Sequence, residues 1–187
     1  MKPLLLLPFA LVLCLAAGCG GGGGSDFSGD PKMPDGYKTF ETEGISFAYP
    51  PDWQVDETTG ADGAPAVQIT PPDKTKTPYG LIQLGVTRKG GGRFKSLADQ
   101  RRLVIRDVNE GKIDSDEEVE IPGAKEALRA TATTPPGRGS DPVEVKADSL
   151  DVRRDNDDVV MLTVASPQRD GESFDTAAIV DTFRLED

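Results

Sequence analysis

Short segments in which apolar and polar residues alternate recur along most of the chain, and they constrain its fold more than any other feature. Ile45, Phe47 and Tyr49 alternate with small residues, and residues 67–70 and 82–87 repeat the pattern. A period of two is typical of strands that bury one face. Because prolines or glycines soon follow these segments, we expect tight turns and a mostly antiparallel sheet.

The second half of the chain continues this pattern. We predict strands at Val119–Ile121 and Leu128–Ala132, and another over residues 143–152, where a change of parity indicates a bulge near residues 148–149. The run Asp155-Asn156-Asp157-Asp158 has the composition of a hairpin turn. Residues 159–165 are apolar on both faces, which favours a central strand covered on both sides.

Two segments have the period of helices. Residues 96–110 begin with the capping-box-like pair Ser96 and Asp99, place apolar residues on one face and are followed by Gly111. A shorter helix is expected over residues 173–182, with apolar side chains around most of its surface. The order of strands, helix, strands and helix predicts an α+β fold, in which a mostly antiparallel sheet has helices on both faces.

The N-terminal residues have the pattern of an export signal. Lys2 precedes the apolar run Leu4–Leu15, which is shorter than the roughly 20 residues that span a bilayer. The run ends in Leu-Ala-Ala-Gly-Cys, residues 15–19, which resembles the lipobox of bacterial lipoproteins. The resemblance implies that residues 1–18 are removed as a signal peptide and that Cys19 is lipidated. The alternative is an ordinary secretory signal that leaves Cys19 as a free thiol.

Residues 20–36 are rich in glycine and polar residues, so we expect a flexible tether between Cys19 and the folded domain. A Gly-rich chain of this length spans on the order of 20–25 Å. Phe27 is expected to be an isolated apolar residue of this tether. The globular domain is expected over residues 37–187. These features predict a lipid-anchored protein on the extracytoplasmic face of the cell membrane.

The composition excludes several kinds of chemistry. The chain has no histidine, so it has no Ser-His-Asp triad and no imidazole ligand. Cys14 leaves with the signal and Cys19 carries the lipid, so the mature domain keeps no thiol. A net charge of −11 opposes binding to nucleic acid. The sequence therefore predicts no enzyme, no cofactor and no metal site.

Two short motifs resemble the PsbP-like family. Residues 44–53, Gly-Ile-Ser-Phe-Ala-Tyr-Pro-Pro-Asp-Trp, are similar to its first strand, and residues 179–184, Ile-Val-Asp-Thr-Phe-Arg, are similar to its C-terminal end. The resemblance covers about residues 37–185. It implies an α/β/α sandwich and a non-enzymatic accessory or binding role, and it carries over no binding residues. The high content of Ala, Gly, Asp, Arg and Pro is typical of a high-GC bacterium such as an actinobacterium.

A basic segment is the first candidate binding site. Residues 88–106 hold seven basic side chains against Asp99 alone, and three glycines lie at residues 90–92. Basic groups and backbone amides near a helix start can bind a phosphate or an anionic lipid headgroup. The weak candidates for such a ligand are Arg88, Lys89, Arg93, Lys95, Arg101 and Arg102. The alternative is a mobile connection followed by a solvated helix face.

Acidic and aromatic residues give further candidates. Seven carboxylates in residues 107–120 could hold calcium, although EF-hand spacing is missing, or could keep an edge strand soluble. Trp53 and Tyr49 could line a pocket, but a lone tryptophan beside a strand is more often core.

The sequence thus favours a membrane-anchored binding module for a protein or envelope component. The alternatives are a carrier of a small ligand or calcium, and a hydrolase of the cell envelope that uses a carboxylate pair. The oligomeric state stays open.

Overall fold

The computed structural model describes residues 27, 29–60, 62–75, 79–89, 96–99, 112–134 and 143–186. These residues form two antiparallel sheets. The strands are β1 (Lys38–Thr42), β2 (Ile45–Tyr49), β3 (Gln54–Thr59), β4 (Pro65–Thr70), β5 (Leu81–Thr87), β6 (Lys112–Glu118), β7 (Ala124–Thr134), β8 (Val145–Arg154), β9 (Val159–Pro167) and β10 (Arg184–Leu185). The larger sheet has the order β3-β4-β5-β9-β8-β7-β6, and the smaller has the order β1-β2-β10.

Most of the predicted strands are present. Strands β2, β4, β5 and β7 cover the alternating segments, and β9 is the middle strand of the larger sheet. The hairpin turn at residues 155–158 is also confirmed. The backbone N–H of Arg154 donates to the carbonyl of Asp158 at 2.9 Å, and Asp157 adopts a φ of 65°.

The main core lies on one face of the larger sheet. Ile82 and Leu162, on the adjacent strands β5 and β9, are fully buried there. The smaller sheet, through Phe47, and the helix α1 (Thr176–Val180), through Ile179, belong to the same buried cluster. On the opposite face, Leu97 packs in a second and smaller cluster. Hydrophobic burial therefore joins the two sheets and the helix in one body.

Both ends of α1 are fixed by side chains. The carboxylate of Asp175 accepts hydrogen bonds from the backbone N–H groups of Ala177 and Ala178, which makes it the N-cap. Beyond the helix, Thr182 Oγ1 accepts a 2.7 Å bond from the backbone N–H of Ala48 on β2. The helix is thereby tied to the smaller sheet.

A buried ion pair joins the larger sheet to the end of α1. The Nε of Arg129 on β7 donates to Asp148 on β8 at 3.1 Å, and its Nη1 donates to Asp181 at 2.8 Å. The side chain of Asp148 is 2% exposed and that of Asp181 is 49% exposed. Burial acts to lower the pKa of Arg129, but the two carboxylates outweigh it and raise the pKa.

The prediction of helices on both faces of the sheet is wrong. The described residues are mostly strand, with one five-residue helix and the three helical residues Leu97–Asp99. The smaller sheet takes much of the place of a helical layer, so the α/β/α sandwich implied by the PsbP-like motifs is not the fold. Helix α1 is also shorter than expected, because Asp175 caps it and Asp181 ends it. Most of the other expected helix, residues 100–110, lies outside the described ranges.

Two further differences come from polar residues in strands. The alternation pattern misses β6, whose sequence Lys-Ile-Asp-Ser-Asp-Glu-Glu is polar because the strand lies at a sheet edge. The bulge expected near residues 148–149 is absent, since β8 pairs continuously with both neighbours there. The change of parity misled because Asp148 occupies a core position beside Arg129. A register shift occurs instead between Ala124 and Glu126.

The chain joins the domain earlier than expected. Phe27 is 1% exposed and belongs to the main core cluster, so its assignment to the tether is wrong. The carbonyl of Gly29 accepts a 2.8 Å hydrogen bond from Arg184. Cys19 and the signal segment lie outside the described residues. Where the structure describes the chain, no helix has both the length and the hydropathy to cross a bilayer.

Candidate functional site

Strands β4, β5 and β9 run between two ends of the larger sheet that differ in chemistry. At one end Asp62 precedes β4, Arg88 follows β5 and Asp158 precedes β9. We name this group, together with Glu43 and Asn156, the Arg88 cluster. At the other end lies a pocket that includes Trp53, which we name the Trp53 pocket. The two ends include residues from both the basic and the aromatic candidates of the sequence.

Carboxylates of the protein itself surround Arg88. Its Nη1 donates to Asp158 at 2.9 Å and its Nη2 donates to Glu43 at 2.6 Å. Its backbone N–H donates to Asp62 at 2.9 Å. The side chain of Asp158 is 5% exposed, whereas those of Arg88 and Glu43 are 35% and 40% exposed. Arg88 thus links the turn between β1 and β2 to the turn before β9.

Asp158 is the most connected acid of the Arg88 cluster. Besides Arg88, it accepts 2.9 Å bonds from the backbone N–H of Lys89 and from the side chain of Asn156. Burial acts to raise the pKa of Asp158, but the bonds from Lys89, Arg88 and Asn156 outweigh it and lower the pKa. The carboxylate therefore stabilises this end of the fold in its ionised form.

The structure places two of the six basic candidates. Arg88 is held by three carboxylates, so its position would repel an anion. The side chain of Lys89 is exposed, and its φ of 49° marks a tight turn. The candidates beyond the described residues are Arg93, Lys95, Arg101 and Arg102. Anion binding by those four residues stays a prediction.

Part of the acidic run lies on edge strand β6. Asp114 accepts a hydrogen bond from Thr133 of β7, and Ser115 and Thr131 share one at 2.7 Å. Within the described ranges, no group of three or more acidic residues has an arrangement that could hold a metal ion. The position of the run at an edge fits the expectation that its charges keep the strand soluble.

The Trp53 pocket lies at the opposite end of the strands and has a volume of about 260 Å³. Trp53 precedes β3 and is half-buried, although the sequence favoured a core position for it. Tyr49 packs against the main core cluster instead. The residues that line the pocket are Trp53, Pro71, Asp73, Tyr79, Gly80, Gly171 and Glu172.

The missing side chain of Gly80 allows the aromatic wall to form. A Cβ at this position would lie 2.6 Å from Cη2 of Trp53 and 2.8 Å from Cε1 of Phe174. The rings of Trp53 and Phe174 meet edge to face, with centroids 5.3 Å apart and planes at 86°. Gly80 is therefore required by close packing, and the wall has a fixed geometry.

Carboxylates surround this pocket. Asp73 and Glu172 line it, and Glu172 also accepts a 2.6 Å bond from Arg169. The pKa of the nearby Tyr37 is raised, first by burial and then by the negative charges of Asp175 and Asp52. The end of the domain that holds the pocket thus has a negative electrostatic potential.

Sequence reasoning found Trp53 but missed the other walls of this pocket. Tyr79 and Gly80 lie just before β5, and Glu172 follows β9. Only the pairing of β5 with β9 brings them together, and no local pattern encodes that pairing. The usable signal was weak: a glycine and an aromatic residue placed directly before an alternating strand.

Comparisons with known proteins add little to this geometry. The sequence matches no protein-family model and no curated protein. A crystal structure of a protein of unknown function from Pseudomonas aeruginosa, described as a candidate regulator, is similar with a TM-score of 0.41 and 13% identity. That match covers 69% of this chain and 81% of the other.

Proposed function

We propose that this chain is a lipid-anchored, extracytoplasmic and non-catalytic domain that binds a protein or another component of the cell envelope. The lipobox-like sequence that ends at Cys19 carries the anchoring part of the proposal. The aromatic pocket at Trp53 supports the binding part, because a preformed cavity with few polar groups is typical of ligand sites.

The burial of Phe27 strengthens the anchoring argument. Only residues 20–26 separate Cys19 from a side chain in the core. Seven residues reach about 25 Å at full extension. A lipid on Cys19 would therefore hold the domain close to the membrane surface, where its partners are envelope components.

The pocket favours binding over hydrolysis. Its two carboxylates, Asp73 and Glu172, are exposed and half-buried respectively. A carboxylate pair that cleaves glycosides needs one acid whose pKa is raised, usually by burial. A carrier of a small ligand is the second candidate function, and the cavity volume is the observation that favours it.

Membrane fractionation of cells that express the full chain tests the anchor. We expect the wild type in the membrane fraction as a cleaved form. The variant Cys19→Ala should keep its signal uncut or move to the soluble fraction. Cys14→Ala is the matched control, since it removes a thiol from the signal segment and should change neither cleavage nor localisation.

The proposal is wrong in its anchoring part if Cys19→Ala is cleaved and stays on the membrane like the wild type. Cross-linking of the anchored protein in whole cells tests the binding part. A component enriched with the wild type and lost with Cys19→Ala supports it. Turnover of an ester or cell-wall substrate by the purified protein would contradict the non-catalytic role.

A further inference from the structure

The Trp53 pocket combines features that suit a small cation. Its volume of about 260 Å³ is below the range of drug-sized sites, so it accommodates one side-chain-sized group. Its charged lining residues are Asp73 and Glu172, and among the described residues no basic side chain lines it. Trp53 and Tyr79 supply aromatic surface, which attracts cations through the π electrons of the rings.

The surrounding charges favour the same ligand. Asp52 precedes Trp53 in the chain, and Asp175 follows Phe174. Their negative field is felt by Tyr37, and the whole chain has a net charge of −11. Such a field attracts cations to the mouth of the pocket and repels anions.

The two lining carboxylates already make bonds within the protein. Asp73 accepts hydrogen bonds from the backbone N–H and the hydroxyl of Thr75, at 2.9 and 2.6 Å. Glu172 is paired with Arg169. These bonds hold the carboxylates in place, and a carboxylate can accept about four hydrogen bonds in total. The pocket is thus ordered before a ligand arrives.

We propose that the Trp53 pocket binds an aliphatic ammonium group, presented by a lysine-type side chain of an envelope peptide or by a free polyamine. The small cavity favours ammonium over guanidinium, because ammonium is a compact point charge on a narrow stem. The proposal deepens the binding role proposed above and does not depend on the lipid anchor.

The intrinsic fluorescence of the protein provides the test. The chain has one tryptophan, so its emission reports on the pocket alone. We would titrate the full chain, purified in neutral detergent, with Nα-acetyl-lysine methylamide. The neutral control is the same compound acetylated on Nε. We expect a saturable change in emission with the amine, with a Kd on the order of 1 mM, and none with the acetylated compound.

Variants identify the carboxylates. Asp73→Asn combined with Glu172→Gln should weaken binding at least about tenfold, since bonds between charged groups contribute 1.5–3 kcal/mol. The matched control is Asp155→Asn, which removes an exposed charge from the opposite end of the sheet and should leave the Kd unchanged. Circular dichroism would verify that each variant is folded.

Three results would overturn the proposal: no change in emission with the amine, equal binding of the acetylated compound, or unchanged affinity in the double variant. If binding is found, spermidine and a lysine-containing peptide distinguish the two sources by which one binds more tightly. Failure of this titration leaves the result for Cys19 untouched, so loss of the pocket proposal and loss of the anchoring proposal are separable.

Discussion

The two ends of strands β4, β5 and β9 use charge in opposite ways. In the Arg88 cluster, each carboxylate meets a guanidinium, an amide or a backbone N–H, and these bonds lock the turns together. At the Trp53 pocket, carboxylates border a cavity with aromatic walls. The first arrangement satisfies its charges internally. The second leaves a negative cavity that suits a ligand.

This difference shows why residue type alone is a poor guide to function. Arg88 was a candidate for anion binding because it is basic and precedes a run of glycines. Its main partner, Asp158, is 70 residues away in the chain, and only the pairing of β5 with β9 brings them together. A charged residue indicates a ligand site only when its own protein does not already pair it.

The buried pair of Arg129 and Asp148 sets the upper limit for structural charges, so it gives the largest expected effect. Arg129→Met should lower the free energy of unfolding by about 3–5 kcal/mol, because Asp148 is left buried without its cation. Combining it with Asp148→Leu should restore most of that loss. Urea unfolding followed by circular dichroism measures both. A double variant no more stable than Arg129→Met would contradict this account.

Removal of Asp158 tests whether the Arg88 cluster is structural. Asp158→Ala should lower the free energy of unfolding by about 2 kcal/mol, since several hydrogen bonds to one carboxylate are lost while partly exposed Arg88 is resolvated. Asp155→Ala, on the same turn, should change it by less than about 0.5 kcal/mol. Trp53 emission should stay the same in both. Equal stability of the two variants would remove the structural role of the cluster.

Gly80→Ala applies the same test to the pocket. The added methyl group must displace the rings of Trp53 and Phe174, so we expect a loss of about 1–3 kcal/mol and a shift in Trp53 emission. Gly85→Ala is the control on the same strand, because its Cβ would meet only Met161, at 4.0 Å. It should change stability by less than about 0.5 kcal/mol. Unchanged emission in Gly80→Ala would mean that the wall is not closely packed.

The two ends should also respond to opposite extremes of pH, with smaller effects. The lowered pKa of Asp158 adds stability above the unfolded value of about 3.9, and that stability is lost as the pH falls. The raised pKa of Tyr37 adds stability below about 10, which is lost as the pH rises further. Asp158→Asn should flatten the acid side of the stability profile, and Tyr37→Phe the alkaline side. Urea midpoints between pH 3 and 11 would show whether either flattening is missing.

The amount that could be predicted from the sequence follows from where each strand is buried. Strand β2 and the central β9 have apolar patterns because one or both of their faces are covered. Strand β6 has no such pattern because it lies at an edge. The division into two sheets was not predictable, since alternation shows that a strand is half-buried but not which strand pairs with it.

The candidate site was less predictable than the fold. Trp53 was recognisable as an unusual residue, but its partner ring Phe174 comes from the segment after β9, and the cavity depends on the absence of a side chain at Gly80. Phe27 was misassigned because a single apolar residue among glycines gives no periodic signal. Long-range packing determines all three positions.

Site-specific photo-cross-linking in cells tests the central contrast most directly. A photoreactive residue would replace Tyr79, at the Trp53 pocket, or the exposed Asp155, near the Arg88 cluster. The account predicts a specific envelope cross-link from position 79 and none from position 155. A cross-link from position 155 alone would contradict it, because the end that we describe as structural would then be the binding surface.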